Sequence, residues 1–331
     1  MSPGGGAAQE PDRLRRPAFV ERVPAWLGGA PSQRLIVILR ASGCAWARQP
    51  GGGCTNCGFD KLTTRGEAVS ADDLVAQFEA ALGGDALAGV GEVDLYNSGS
   101  FFADSEIPPV ARARILGRLG REAGVSRVLV ESRPEFVRAA DLAAARAALG
   151  PRELEVGIGL ESCDDRVREE LVHKGFGLPE FERAVASLGQ HGARLLVYVL
   201  VKPMGLSERE AIEDVISTAR YVFGAARRLG VAARIALEPV FVAPGTLLEK
   251  EFLSGRYQPP SLWSVVEILR RAHPLGELLV GLSDEGLEPH RLPNGCAACS
   301  VDLRRALAEY NRSRNLSALD AVRCVACESR A

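Results

Sequence analysis

Six short apolar runs, at 35–39, 92–96, 127–131, 154–160, 195–201 and 234–241, recur along the chain with helix-patterned stretches between them. Strands that return through helices run parallel, because the crossover brings the chain back to the sheet in the same direction. Right-handed crossovers then curl the strands into an α/β fold, a partial (β/α)6 TIM-like barrel whose open side admits a large substrate. A further run at 278–282 is too short to count firmly as a seventh strand. Two of the helices carry start and stop signals. Ser70 with Asp73 opens one whose apolar face is Leu74, Val75, Phe78 and Leu82, closed by Gly83. Ser207 with Glu210 opens another, striped by Ile212, Val215, Ile216, Ala219, Val222 and Phe223 and stopped by Gly230.

The first of these strands runs into a glycine-rich loop that holds Cys44, Cys54 and Cys57 with the spacing Cys-x9-Cys-x2-Cys. Three thiolates on one loop can ligate three irons of a cubane 4Fe-4S cluster and leave the fourth iron open. An open iron is a place for chemistry, whereas a fully ligated cluster only carries electrons. Zinc would want a fourth ligand, and no histidine lies near the loop. Gly43, Gly51, Gly52, Gly53 and Gly58 let the backbone wrap closely around such a cluster. The loop also leaves a strand's C-terminal end, where barrel enzymes keep their active sites.

The runs Arg40-Ala-Ser-Gly-Cys44 and Gly53-Cys54-Thr-Asn-Cys57-Gly58-Phe59 resemble the radical S-adenosylmethionine (SAM) superfamily, in the branch that contains the elongator catalytic subunit. Within it they are most similar to the radical SAM lyase family that partners archaeosine synthase in tRNA modification, over roughly residues 31–285. That resemblance implies two cofactors, a 4Fe-4S cluster and SAM, which together yield a 5′-deoxyadenosyl radical. It also implies a site. Asn97, Ser98 and Gly99 belong to the short polar motif that receives the methionine amine, Glu131 reaches the same amine, and Arg133 pairs with the carboxylate. Glu161 takes the ribose hydroxyls, and Lys174, beside His173, is a further cofactor contact. The family usually has an aromatic residue before the last cysteine, against the adenine; Asn56 stands there, and Phe59 or Trp46 is expected to substitute. By barrel geometry Lys202-Pro203-Met204 and Glu238-Pro239 should also point to the cavity. The implied substrate is a tRNA with a lysine-modified 7-deazaguanine base, cleaved at a carbon-nitrogen bond to give archaeosine. A lysine-transferring partner protein and a reductant protein are implied with it.

Beyond residue 283 the character changes, and turn residues lead into Cys296-x2-Cys299, a helical stretch with Leu303, Leu307 and Tyr310, and Cys324-x2-Cys327. Four thiolates in two knuckles match a closed zinc site, with a second iron-sulfur cluster as the alternative. Seven of the eight cysteines lie in these two groups, a pattern of metal ligation and not of disulfides. Cys163, the outlier, reads as a small apolar residue. The expected organisation is a flexible tail over 1–30, the barrel over 31–285 and a Cys-rich metal-binding module over 286–331.

With 40 basic and 42 acidic residues the chain carries no overall field for nucleic acid. Arg13, Arg15, Arg16, Arg22, Arg34, Arg40 and Arg48 form a locally basic run, a pattern that is more often a solvated or disordered arm than a binding surface. No apolar run approaches the ~18–20 residues of a membrane span, and the first residues do not resemble a secretory signal, so a cytoplasmic location is expected. Two other functions fit the residues: a radical SAM enzyme for a small molecule or peptide, and a non-catalytic metal-binding scaffold.

Overall fold

The computed structural model describes residues 13–328. Eight strands form one sheet in chain order: β1 (Phe19–Leu27), β2 (Ala30–Ile38), β3 (Val90–Tyr96), β4 (Arg127–Glu131), β5 (Glu153–Glu161), β6 (Arg194–Val201), β7 (Ala233–Pro239) and β8 (Glu277–Val280). β1 runs antiparallel to β2, and all later neighbours are parallel. The crossovers carry α1 (Ala71–Ala81), α2 (Pro109–Leu119), α3 (Ala139–Leu149), α4 (Leu178–Gln190), α5 (Glu208–Arg228), α6 (Leu247–Leu253) and α7 (Leu262–Ala272); α8 (Ser300–Ser313) and a short α9 (Val325–Glu328) follow β8. The α/β partial barrel expected from the sequence is therefore present. The short run near 278 is a full member, which makes seven parallel strands.

Period-two alternation divides each strand between two cores. Leu35, Val37, Val93, Leu95, Val128 and Val130 pack outward in the layer that includes the helices, while Ile36, Ile38, Leu129, Leu196, Ala236 and Leu279 meet inside the barrel. The helix signals act as read. Ser70 Oγ accepts from the Asp73 N–H, and Ser207 and Glu210 cap each other reciprocally.

The N-terminal ends of the strands are closed by charge. Arg234, 2% exposed, donates to Glu155 and, at 2.6 Å, to Glu92, both fully buried. Arg127 reaches Glu92 at 3.4 Å, and Arg34 reaches the buried Asp94 at 3.4 Å. Burial alone would raise the Glu92 carboxyl, but Arg234, Arg34 and Arg127 hold it down at about 2. Asp94, whose burial outweighs Arg34, is pushed well up.

Three expectations need correction. Residues 19–29, read as tail, form β1 and its hairpin turn at Gly28 and Gly29, both with positive φ, and Ala30 already opens β2; residues 1–12 lie outside the described residues. Arg34 belongs to the interior network, Arg22 bonds the Ala88 carbonyl and Arg15 pairs with Asp73, so the basic run is dispersed. The stretch 300–313, assigned to a separate module, shares the barrel's core: Leu303, Leu307 and Tyr310 on α8 are fully buried in it. Asn311 of α8 accepts from the Val280 N–H at 2.9 Å and donates to the Val280 carbonyl at 2.8 Å, as a neighbouring strand would.

Removing one member of the floor network leaves its partners buried and unpaired. Arg234→Met is expected to cost about 3–5 kcal/mol, read as a lower urea midpoint at unchanged slope.

Candidate active site

The C-terminal strand ends surround a cavity of about 250 Å³. Cys44, Cys54 and Cys57 line it from the loop after β2, Ser98 and Gly99 from the loop after β3, and Glu131 and Arg133 from β4 and its continuation. Glu161, at the end of β5, and Lys174, beyond it, complete the ring. Ser98, Glu161 and Lys202 hold positive φ at or just beyond strand ends, and His173 does so after the helical turn that follows β5. Left-handed backbone at non-glycine residues is uncommon and gathers at functional sites.

A buried carboxylate fixes the cysteine loop to its neighbour. Glu106, 2% exposed, accepts from the Ala45 N–H at 2.8 Å, the Ser100 N–H at 2.5 Å and the Asn97 side chain at 2.9 Å. Glu131 in turn accepts from the N–H groups of Asn97 and Gly99, at 3.2 and 3.3 Å. Asn97 is thus turned away from the cavity and serves through its backbone and its bond to Glu106.

A second clasp holds the far end of the cysteine loop. The Thr55 N–H donates to the Val172 carbonyl at 3.0 Å, His173 Nδ1 meets the Gly53 carbonyl at 2.9 Å, and the Trp46 indole donates to the His173 carbonyl at 3.0 Å. Arg133 lies between the Trp46 and Phe176 rings, 5.4 and 5.2 Å from their centroids, and donates to the carbonyls of Lys174 and Gly175 and to Glu135. Three of its five N–H groups are therefore committed, two of them to holding the 174–175 segment. Lys174 Nζ sits 2.7 Å from Glu161 Oε1. Phe59 lines the cavity beside Asn56, whereas Trp46 is used up by this clasp.

Other sequence candidates divide. Glu238 and Pro239 line the cavity as expected. Lys202 does not; it pairs with Glu208 at 2.8 Å and lies over the Tyr257 ring. Beyond Glu161, two further residues serve structure: Asp164 caps the following helical turn, and Asp165 pairs with Arg168. Cys163 is half-buried, with its N–H on Thr218.

The donor set fits a multi-iron cluster. Among the described residues only Cys296, Cys299, Cys324 and Cys327 gather three or more such ligand atoms within 4.8 Å, so the wider trio of Cys44, Cys54 and Cys57 is not drawn in around one ion. No fourth cysteine and no histidine lines their cavity. The backbone approach is tight: a Cβ at Gly58 would meet Ala243, and one at Gly99 would collide with Glu106. Burial pushes all three thiols up, Cys57 to about 12 with Cys54 adding to the effect.

The C-terminal quartet has the other geometry. Cys296 Sγ lies 3.5 Å from both Cys299 and Cys324, and Cys299 lies 3.9 Å from Cys327. A tetrahedral ion with sulfur at ~2.3 Å sets its ligands ~3.8 Å apart. The Ala298 N–H and the neighbouring thiols bring Cys296 down to about 6.

No protein-family model matches the chain. Among curated proteins, archaeosine synthase subunit beta of Methanosarcina acetivorans is 34% identical over 310 residues, covering 92% of this chain and 87% of that protein. The chain belongs to the archaeosine synthase subunit beta family. The subunit beta of Thermococcus kodakarensis is 27% identical over 304 residues, 89% of each chain. The solved structure of methylornithine synthase shares the fold, with a TM-score of 0.51 at 15% identity over 75% of this chain and 63% of that one. The resemblance drawn from the cysteine loop therefore holds for this family member, and so does the barrel it implied.

Sequence reasoning missed two residues that the site needs, Glu106 and the clasping role of Trp46. It also missed Glu285, which lines the cavity with Glu131 and Glu238. Burial raises these three carboxyls, Glu131 to about 7 despite two backbone N–H bonds, Glu238 to about 8, and Glu285 to about 8 with help from Glu238. Raised carboxyls favour the folded state while neutral, so the stability they lend is complete below the unfolded value of ~4.3 and is lost as pH climbs through 7 and 8. Thermal scans at pH 5.5 and 8.5 should show a smaller drop for Glu238→Gln than for the parent protein.

Proposed function

We propose that this chain is a radical SAM enzyme of tRNA modification, with Cys44, Cys54 and Cys57 as the protein ligands of a 4Fe-4S cluster. The observation that carries the reading is three thiols on one cavity with no fourth cysteine and no histidine among the described residues that line it, ringed by strand-end carboxylates. The family name and the fold support it. When bound, the cluster and SAM supply a 5′-deoxyadenosyl radical able to take a hydrogen atom from a substrate.

The chain's own residues place the cofactor. Glu131, fixed by the Asn97 and Gly99 N–H groups, accepts from the methionine amine, and Ser98 and Gly99 border the same end. Glu161 accepts from the ribose hydroxyls, its left-handed backbone aiming the carboxylate inward. Phe59 offers the adenine an aromatic face. Arg133 acts mainly by holding Lys174 and Gly175 in place, with two N–H groups left for the methionine carboxylate.

The substrate is a tRNA with a lysine-modified 7-deazaguanine base, and the reaction a lyase-type cleavage of a carbon-nitrogen bond that yields archaeosine. The relatives' designation as a beta subunit supports a partner that first attaches the lysine. A reductant protein delivers the electron. No helix among the described residues is long and apolar enough to cross a membrane, which accords with a cytoplasmic setting. The C-terminal quartet holds Zn2+, on sulfur separations suited to one tetrahedral ion.

Anaerobically reconstituted protein given SAM, a strong reductant and tRNA carrying the lysine-modified base should release 5′-deoxyadenosine and convert the base. Cys44→Ala should abolish both, and formation of neither product by the parent protein would overturn the reading. Cys324→Ala is expected to lose one zinc per chain in elemental analysis while the iron content is kept.

A further inference from the structure

We propose that Lys174 is a positioning residue for charge: docked on Glu161 beside Cys54, its ammonium sets the redox potential of the cluster held by Cys44, Cys54 and Cys57. The inference rests on the cluster reading above and adds a role for one residue toward it.

Lys174 is held in place through both its side chain and its backbone. Its Nζ lies 2.7 Å from Glu161 Oε1, and the Arg133 guanidinium donates to its carbonyl at 2.8 Å. The residues just before it run against the cysteine loop. Val172 bonds Thr55, and His173 bonds Gly53, so the two contacts bracket Cys54 from both sides. Lys174 and Cys54 then line the same cavity, near enough for the ammonium and the sulfur to act on each other electrostatically. Gly159 leaves the room this needs, since a Cβ there would run into both Glu161 and Lys174.

The surroundings make the charge effective. The side chains of Lys174 and Glu161 are 14% and 11% exposed, where water screens a charge far less than at a surface. Lys174 has three N–H donors, and Glu161 accounts for one. Arg133, the other cation on the wall, is tied to Glu135 and to backbone carbonyls. Reducing an iron-sulfur cluster by one electron adds a unit of negative charge. A fixed cation beside a ligating sulfur favours that reduced form, and the neighbouring carboxylate offsets it in part.

The two side chains should therefore move the potential in opposite directions. The full chain is reconstituted anaerobically, iron and sulfide are counted, and the cluster is titrated by EPR without SAM or tRNA. Lys174→Met should shift the midpoint to more negative values, Lys174→Arg should restore it, and Glu161→Gln should shift it to more positive values. An unmoved midpoint in Lys174→Met at equal iron content would sink the proposal and leave the cluster reading intact. So would a negative shift in Glu161→Gln, which decides the matter even if Lys174→Met loads no cluster. A parent protein that assembles no iron-sulfur cluster overturns both readings, which separates the two failures.

Discussion

The arginine layer at the bottom of the barrel is the constraint on which the site above it depends. Arg234, Glu92 and Glu155 sit on three different strands and are almost wholly withdrawn from solvent, so each needs the others to offset its desolvation. Ions in that position tolerate little sliding, because a one-residue slip of any strand would turn a charge out of the network and an apolar side chain into it. The layer thus fixes the register of the strands, and the register fixes where their far ends present side chains. Glu131 and Glu161 face one cavity only because β4 and β5 are locked at their other ends.

Above that floor the site is built from loops held by specific hydrogen bonds. Glu106 ties the start of the cysteine loop to the turn after β3, and the segment at 172–175 ties its far end to the turn beyond β5. The long gap between Cys44 and Cys54 is therefore not slack. Trp46, within that gap, seals it against His173 and Arg133, and Gly175 permits the approach, since any Cβ there would strike the Trp46 ring.

Much of this architecture is legible in the amino-acid sequence. The apolar runs mark the parallel strands, and the cysteine spacing with the motifs at Glu131, Glu161 and Lys174 marks the wall of the cavity. What escapes such reading is set by distance in the chain. β1 hides because it is an edge strand, half-buried on alternate residues and interrupted by Pro24, a residue that only an edge tolerates well. Glu106 gives no local sign, because Ala45, Asn97 and Ser100 reach it only through the fold. Asn97 and Lys202 look like cavity residues by position, yet each finds a nearer partner, in Glu106 and Glu208.

The amide of Asn311 lies against the outer margin of the sheet and bonds both backbone groups of Val280. An unprotected margin of that kind invites another polypeptide to add itself as a ninth strand, the usual route to misassembly in open sheets. Here a single side chain occupies the template. Strand addition at the Val280 end of that border is thereby obstructed, because both backbone groups it would need are already taken.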